Sequence, residues 1–266
     1  MRPLPCGFGT LAALWYLAST GECCQPYDEG YSIIVRNQCT SNNGPVHLHV
    51  LATAGSATGL SNAEEGWSQW HLDNSFYLDA PITNGTLGQI NFTPAVIDGA
   101  LSSRWRMWWD DIARSNGSRA QTLLEVNCDG YAERNATLQC YVDVSVVDGF
   151  SSTVVATFPS GQLPDISAVP VANWTCPVAN RLPPGSAFPT PFLPETVACL
   201  SNCTVYGTES ACCTGSYNNT NTCPQPNAAL AAGVPSAYSF AYDDSNALKS
   251  FRTALGETPF RVTTCV

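Results

Sequence analysis

Charge is what this chain of 266 residues has least of: Asp, Glu, Lys and Arg make up 12% of it, about half the usual quarter. The shortage falls on the cations, with 11 Lys and Arg against 21 Asp and Glu and a net charge of −10. Nucleic acids and anionic membranes are thereby excluded as favoured partners, because both would be repelled. Long apolar runs are missing too. The run from Phe8 to Leu17 is roughly half the ~20 residues that a membrane-spanning helix needs. It follows a lone Arg2 and precedes Ala18-Ser19-Thr20-Gly21, the layout of a cleavable secretory signal over residues 1–21. Phe260 to Val266 lacks the hydrophobic tail that precedes a lipid anchor. The expectation is a secreted, extracellular domain over residues 22–266, monomeric and without stable membrane insertion.

Cysteine is the opposite case. Of 13 cysteines, Cys6 lies in the leader, and the even number left permits complete pairing in an oxidising compartment. Zinc is the competing use of the tight set Cys199, Cys203, Cys212, Cys213 and Cys223, but no histidine lies nearby and exported thiols oxidise. Asn84, Asn91, Asn116, Asn135, Asn173 and Asn218 each begin an N-x-S/T triplet, which predicts surface glycans. Asn202 begins another, beside Cys203.

Helical periodicity is scarce, and short apolar or alternating runs recur between turn residues, as in a β sandwich. The predicted strands are Tyr31 to Arg36, Val46 to Ala52, Ser68 to Leu72, Ser102 to Trp109, Leu123 to Val126, Tyr141 to Val147, Ser152 to Phe158 and Phe260 to Thr264. Asn227 to Ala232 could form one short helix. The Pro-rich segment Leu182 to Pro194 separates the strands from a looped, cysteine-rich region at about 176–234.

Several residues could carry chemistry. His47 and His49 share one face of a strand, a spacing that could hold a metal. Sequence places no carboxylate or third histidine to complete such a site, so a solvated face and no metal or other cofactor is expected. In Arg104-Trp105-Arg106-Met107 alternation sends both arginines to one face and Trp105 with Met107 to the other. One face reads as core, and the wall of a sugar cleft is the second reading. Glu125, Asp143 and Asp148 stand on or beside apolar strands, where an acid needs hydrogen bonds or a function. A carboxylate on the polar side of a half-buried sheet is the alternative. Asp243 and Asp244 follow an aromatic run, where a doublet usually makes a turn.

Several segments, in order, resemble the thaumatin-like family: Thr122 to Glu125, Tyr141 to Phe150, Cys199 to Tyr206, Cys212 to Gly215, Ala237 to Phe240 and Phe260 to Cys265. A weaker echo runs from Ile33 to Cys39. The resemblance implies a mainly β fold, a flattened sandwich of about ten or eleven strands with a disulfide-rich looped subdomain and an acidic cleft between them. It implies the bridges Cys39 to Cys265, Cys176 to Cys199, Cys203 to Cys212 and Cys213 to Cys223. Cys23, Cys24, Cys128 and Cys140 have no family counterpart, and Cys128 is expected to join Cys140 across the insertion between Glu125 and Asp143. The family's cleft residues fall on Glu125, Asp143, Asp148 and Asp243, with Arg106 or Arg104 as the arginine.

Departures accompany the match. The family's Gly- and Cys-rich signature is replaced by Trp109 to Arg119, without a cysteine. Family cysteines are also missing at Val234 and within Leu255 to Thr258. The resemblance implies binding of β-1,3-glucan or another cell-wall polysaccharide, with weak endo-β-1,3-glucanase activity in some members. In that scheme Glu125 donates the proton, Asp143 or Asp148 activates water, and Arg106 and Asp243 line the cleft. The alternative is a non-catalytic defence or inhibitor protein acting on cell walls or membranes.

Overall fold

The computed structural model describes residues 30–38, 46–61, 68–72, 75–82, 87–110, 120–131, 136–159, 163–181 and 198–264. Its strands are β1 (Tyr31–Asn37), β2 (Val46–Ala54), β3 (Ser56–Ser61), β4 (Ser68–Leu72), β5 (Ser75–Ile82), β6 (Leu87–Thr93), β7 (Ala95–Ile97) and β8 (Ala100–Asp110) in the first half. The second half adds β9 (Leu123–Tyr131), β10 (Thr137–Ser145), β11 (Gly149–Phe150), β12 (Val154–Thr157), β13 (Ile166–Ala168), β14 (Cys199–Leu200), β15 (Lys249–Ala254) and β16 (Arg261–Thr264).

Two sheets enclose one core. The first has six strands in the order β13-β12-β16-β1-β6-β3; the second has eight, in the order β15-β10-β9-β8-β2-β5-β4 with β7 on β8. That is more than the ten or eleven strands the resemblance implied. The sandwich follows from period-two burial. Tyr31, Ile33 and Val35 of β1 are buried, as are Trp105 and Met107 of β8, Leu124 and Val126 of β9, and Val142 and Val144 of β10. An aromatic stack ties the sheets together. Phe92 lies 4.3 Å from Trp105, ring centre to ring centre, and Trp105 Nε1 donates to Tyr31 Oη at 2.7 Å. Burial pushes the Tyr31 phenol up to about 12.

Strand β16 runs parallel to β1, with Asn37 opposite Thr264. The two ends of the domain therefore meet in the middle of one sheet. The expected Cys39 to Cys265 bridge lies outside the described residues, as do Cys23, Cys24 and the sequons at Asn84, Asn116 and Asn135.

The looped region is held by short elements and bridges: α1 (Asn202–Tyr206), α2 (Glu209–Cys212), α3 (Ala228–Gly233) and α4 (Asp244–Ala247). Ser201 and Thr208 cap α1 and α2 through their hydroxyls, which satisfies amides that such short helices leave open. Disulfides join Cys176 to Cys199, Cys203 to Cys212, Cys213 to Cys223 and Cys128 to Cys140. Asn202 is committed inside this region: its Oδ1 accepts from Asn180 Nδ2 at 2.8 Å and its Nδ2 donates to Pro226 O. Asn173 and Asn218 are exposed, and Asn91 is half-buried on β6.

Candidate functional site

Arg104, Arg106, Glu125 and Asp143, four of the charged residues singled out in the sequence, stand on three neighbouring strands. Arg106 of β8 lies opposite Glu125 of β9, and Glu125 opposite Asp143 of β10. Residues directly opposed across a sheet share a face, with Cβ atoms ~4.5–5.5 Å apart. Their chain neighbours point into the core, so this row stands on the outer face of the eight-stranded sheet. Arg106 Nε lies 3.7 Å from Glu125 Oε1. Arg104 is on the same face but one row further along, with Nη2 3.9 Å from Asp129 Oδ1. Arg106 is therefore the arginine next to the acids.

Two turns bring further acids near this row. Val147 and Asp148 turn the chain from β10 into β11, which pairs with β14 through Gly149 and Leu200. Gly149 has φ 109, and a Cβ there would sit 2.5 Å from Cys199 O and 2.9 Å from Ala120 Cα, so only glycine lets the turn dock this closely. The docked turn holds the exposed Asp148 within electrostatic reach of Glu125. The second turn is pinned to β10 by backbone bonds, Tyr238 N to Val144 O and Val146 N to Tyr238 O, both 2.8 Å.

The acidic doublet of this second turn divides its work. Asp243 Oδ2 accepts from Ser239 N at 3.0 Å and from Ser239 Oγ at 2.9 Å, so this buried carboxylate braces the turn. Asp244 is the acid that bears on Asp143, and its Oδ1 accepts from Tyr238 Oη at 2.7 Å. Successive residues entering a helix point ~100° apart, so one member of the doublet turns inward and the other toward β10. Sequence reasoning singled out Asp243 for the cleft; the register of α4 is the signal it lacked.

Crowding shifts the two facing carboxyls. Burial pushes Asp143 up to about 8, and Glu125 and Asp244 add to the effect by like charge. Burial also raises Glu125, Arg106 opposes the rise, Asp148 reinforces it, and a hydrogen bond from Ser145 lowers it again. Asp143 thus keeps its proton near neutrality. Beside it stands an acid whose ionised form has a cation at hand.

The histidine pair departs from expectation. His49 is buried at 1% exposure and stacks on Trp108 at 5.3 Å, so its side chain is not solvated. The side chain of His47 lies outside the described residues. Among the described residues no group of three or more His, Cys, Asp or Glu side chains could hold a metal ion, and no helix is long and apolar enough to cross a membrane.

Known proteins are similar to about half of this chain. A glucan endo-1,3-beta-glucosidase of Prunus avium is 34% identical over 130 residues, covering 48% of this chain and 49% of that protein. Thaumatin-like protein 1 of Castanea sativa is 33% identical over 129 residues, covering 47% and 49%. Thaumatin-like protein 1a of Malus domestica is 30% identical over 131 residues, covering 48% and 49%. The chain spans about half the length of these curated relatives. The profile of the Thaumatin family matches residues 112–266, more than half of the chain and a span that includes Glu125 and Asp143 but not Arg106, and the chain belongs to that family.

Proposed function

We propose that this protein is secreted and binds a linear β-1,3-glucan, or a cell-wall polysaccharide of like chemistry, in a cleft floored by Arg106, Glu125 and Asp143 and flanked by Asp148 and Asp244. The observation that carries the reading is the single row of Arg106, Glu125 and Asp143 across β8, β9 and β10. A guanidinium beside carboxyls offers fixed donors and acceptors to sugar hydroxyls, and the ligand need carry no charge. The likeness to a relative named as a glucan endo-1,3-beta-glucosidase supports the same ligand.

The facing acids also favour slow hydrolysis. Glycoside cleavage needs one protonated and one ionised carboxyl astride the bond. Asp143, raised to about 8, suits the proton donor, and Glu125, paired with Arg106, suits the ionised partner. The roles first expected of the two are thus exchanged. Opposed Cβ atoms ~4.5–5.5 Å apart favour the ~5 Å carboxyl spacing of retention over the ~6.5–9.5 Å of inversion. In a retaining course Glu125 attacks the anomeric carbon while Asp143 gives its proton to the departing oxygen. Asp143 then takes a proton from the water that releases the sugar.

Incubation with laminarin, followed by assay of new reducing ends, tests both halves of this reading. Asp143→Asn and Glu125→Gln should each lower turnover by roughly 10²-fold or more and leave laminarin affinity within a few-fold. Turnover unchanged in either variant ends the hydrolytic role. Absence of laminarin binding by the wild type ends the glucan reading as a whole.

A further inference from the structure

We infer that the glucan chain continues from the acidic row along the β9–β10 hairpin onto a second sugar subsite, whose floor is the ring of Tyr141 and whose rim is Arg104, Asp129 and Gln139. The inference rests on the glucan reading above and extends it beyond Glu125, Asp143, Asp148 and Asp244.

Tyr141 is on β10, two residues before Asp143 and on the same outer face, a displacement of ~6.8 Å along the strand. It is 45% exposed, although it lies within an eight-stranded sheet between β9 and β15. A single exposed aromatic is ordinary; the order of its surroundings is what sets this one apart. Asp129 Oδ1 accepts from Ser102 Oγ at 2.9 Å and lies 3.9 Å from Arg104 Nη2. On the other side Arg252 Nε donates to Gln139 Oε1 at 3.2 Å, and Gln139 Nε2 donates to Phe251 O at 3.1 Å. These polar groups on the same stretch of sheet are thus held by the protein before any ligand arrives, which lowers the cost of binding. Beneath them, on the core side, Cys128 and Cys140 are bonded and fully buried.

The chemistry of this strip selects the ligand. Two guanidiniums and one carboxylate leave it without the concentrated positive charge that a polyanion needs. Donors and acceptors on the same face accompany an exposed ring that is apolar on its faces and polar at its tip. A pyranose ring answers both demands, with C–H bonds on its faces and hydroxyls at its edge. Continuity with Asp143 along a single strand means that one polysaccharide chain can occupy both places.

Binding of two neutral probes, laminaritriose and laminariheptaose, to the full chain by calorimetry tests the inference. Tyr141→Ala should weaken the heptaose roughly tenfold, equal to ~1.4 kcal/mol, and Tyr141→Phe should stay within about twofold because the ring is kept. Triose affinity should be the same in all three proteins, since the short probe is satisfied at the acids. Circular dichroism of Tyr141→Ala should match the wild type, as the side chain is exposed. Equal heptaose affinity in wild type and Tyr141→Ala overturns the subsite and leaves the glucan reading standing. A wild type that binds neither probe overturns the glucan reading, and the subsite falls with it.

Discussion

Asp143 keeps its proton at a pH where an ordinary aspartate has long lost it, and stability must register that difference. The unfolded chain releases this proton near 3.8 and the folded protein near 8. The folded state therefore binds it more tightly, and the stability gained is fully present below about pH 3.8 and lost as pH rises through about 8. Asp143→Asn cannot ionise, so it should escape the loss. By chemical denaturation at about pH 8 the variant should exceed the wild type by on the order of 2–5 kcal/mol, while the two nearly coincide below about pH 4. A gain of equal size at both pH values would show that lost charge repulsion is not its source. The same residue shows where sequence reading stops. Glu125 and Asp143 were legible as acids on apolar strands, but their facing register depends on the insertion between them forming a regular hairpin. Asp148 could be read as close to this pair, whereas the division between Asp243 and Asp244 could not, because both follow the same aromatic run.

At the scale of elements, the β9–β10 hairpin carries both the facing acids and a bridge of its own. Cys128 faces Cys140 in the same ladder that pairs Glu125 with Asp143. The bridge closes a separation of 12 residues, worth about 3 kcal/mol in the chain-entropy model. Replacing both cysteines with alanine should lower unfolding free energy by about that amount. Glucan affinity should hold, because the backbone ladder still fixes the register of the acids. A loss of affinity larger than the loss of stability implies would assign the bridge a share in shaping the cleft. Strands with strong alternation were read closely: Ser68–Leu72 falls on β4, and Tyr31 to Arg36 on all but the last residue of β1. The strand β15, Lys249–Ala254, was missed. Its inward residues are Phe251 and Thr253, and one aromatic beside a threonine is a faint apolar signal. Helices α1 and α2 are too short to show a helical period at all. They exist because Ser201 and Thr208 cap them and bridges clamp them.

At the scale of the whole molecule, composition and cysteine spacing pointed to an exported sandwich, but strand order was beyond them. In the six-stranded sheet β16 sits between β1 and β12, and no local pattern reveals that the last described strand inserts beside the first. This arrangement makes folding depend on contacts of long sequence separation, which form late and slowly. It also leaves the first sheet without a centre until the end of the chain arrives. Deleting residues 261–266 would strip backbone partners from β1 on one side and β12 on the other. It would also uncover Ile33, Val35, Val154 and Ala156, which β16 helps to bury. Unpaired amides and carbonyls on both flanks add to the lost apolar burial, and the sum exceeds the 5–15 kcal/mol that holds a typical domain together. The shortened chain should therefore show no cooperative thermal transition by near-ultraviolet circular dichroism, even with its remaining bridges formed. A transition within a few degrees of the full-length protein would mean that the eight-stranded sheet and the looped region fold without the first sheet. The acidic row would then owe its geometry to β8, β9 and β10 alone.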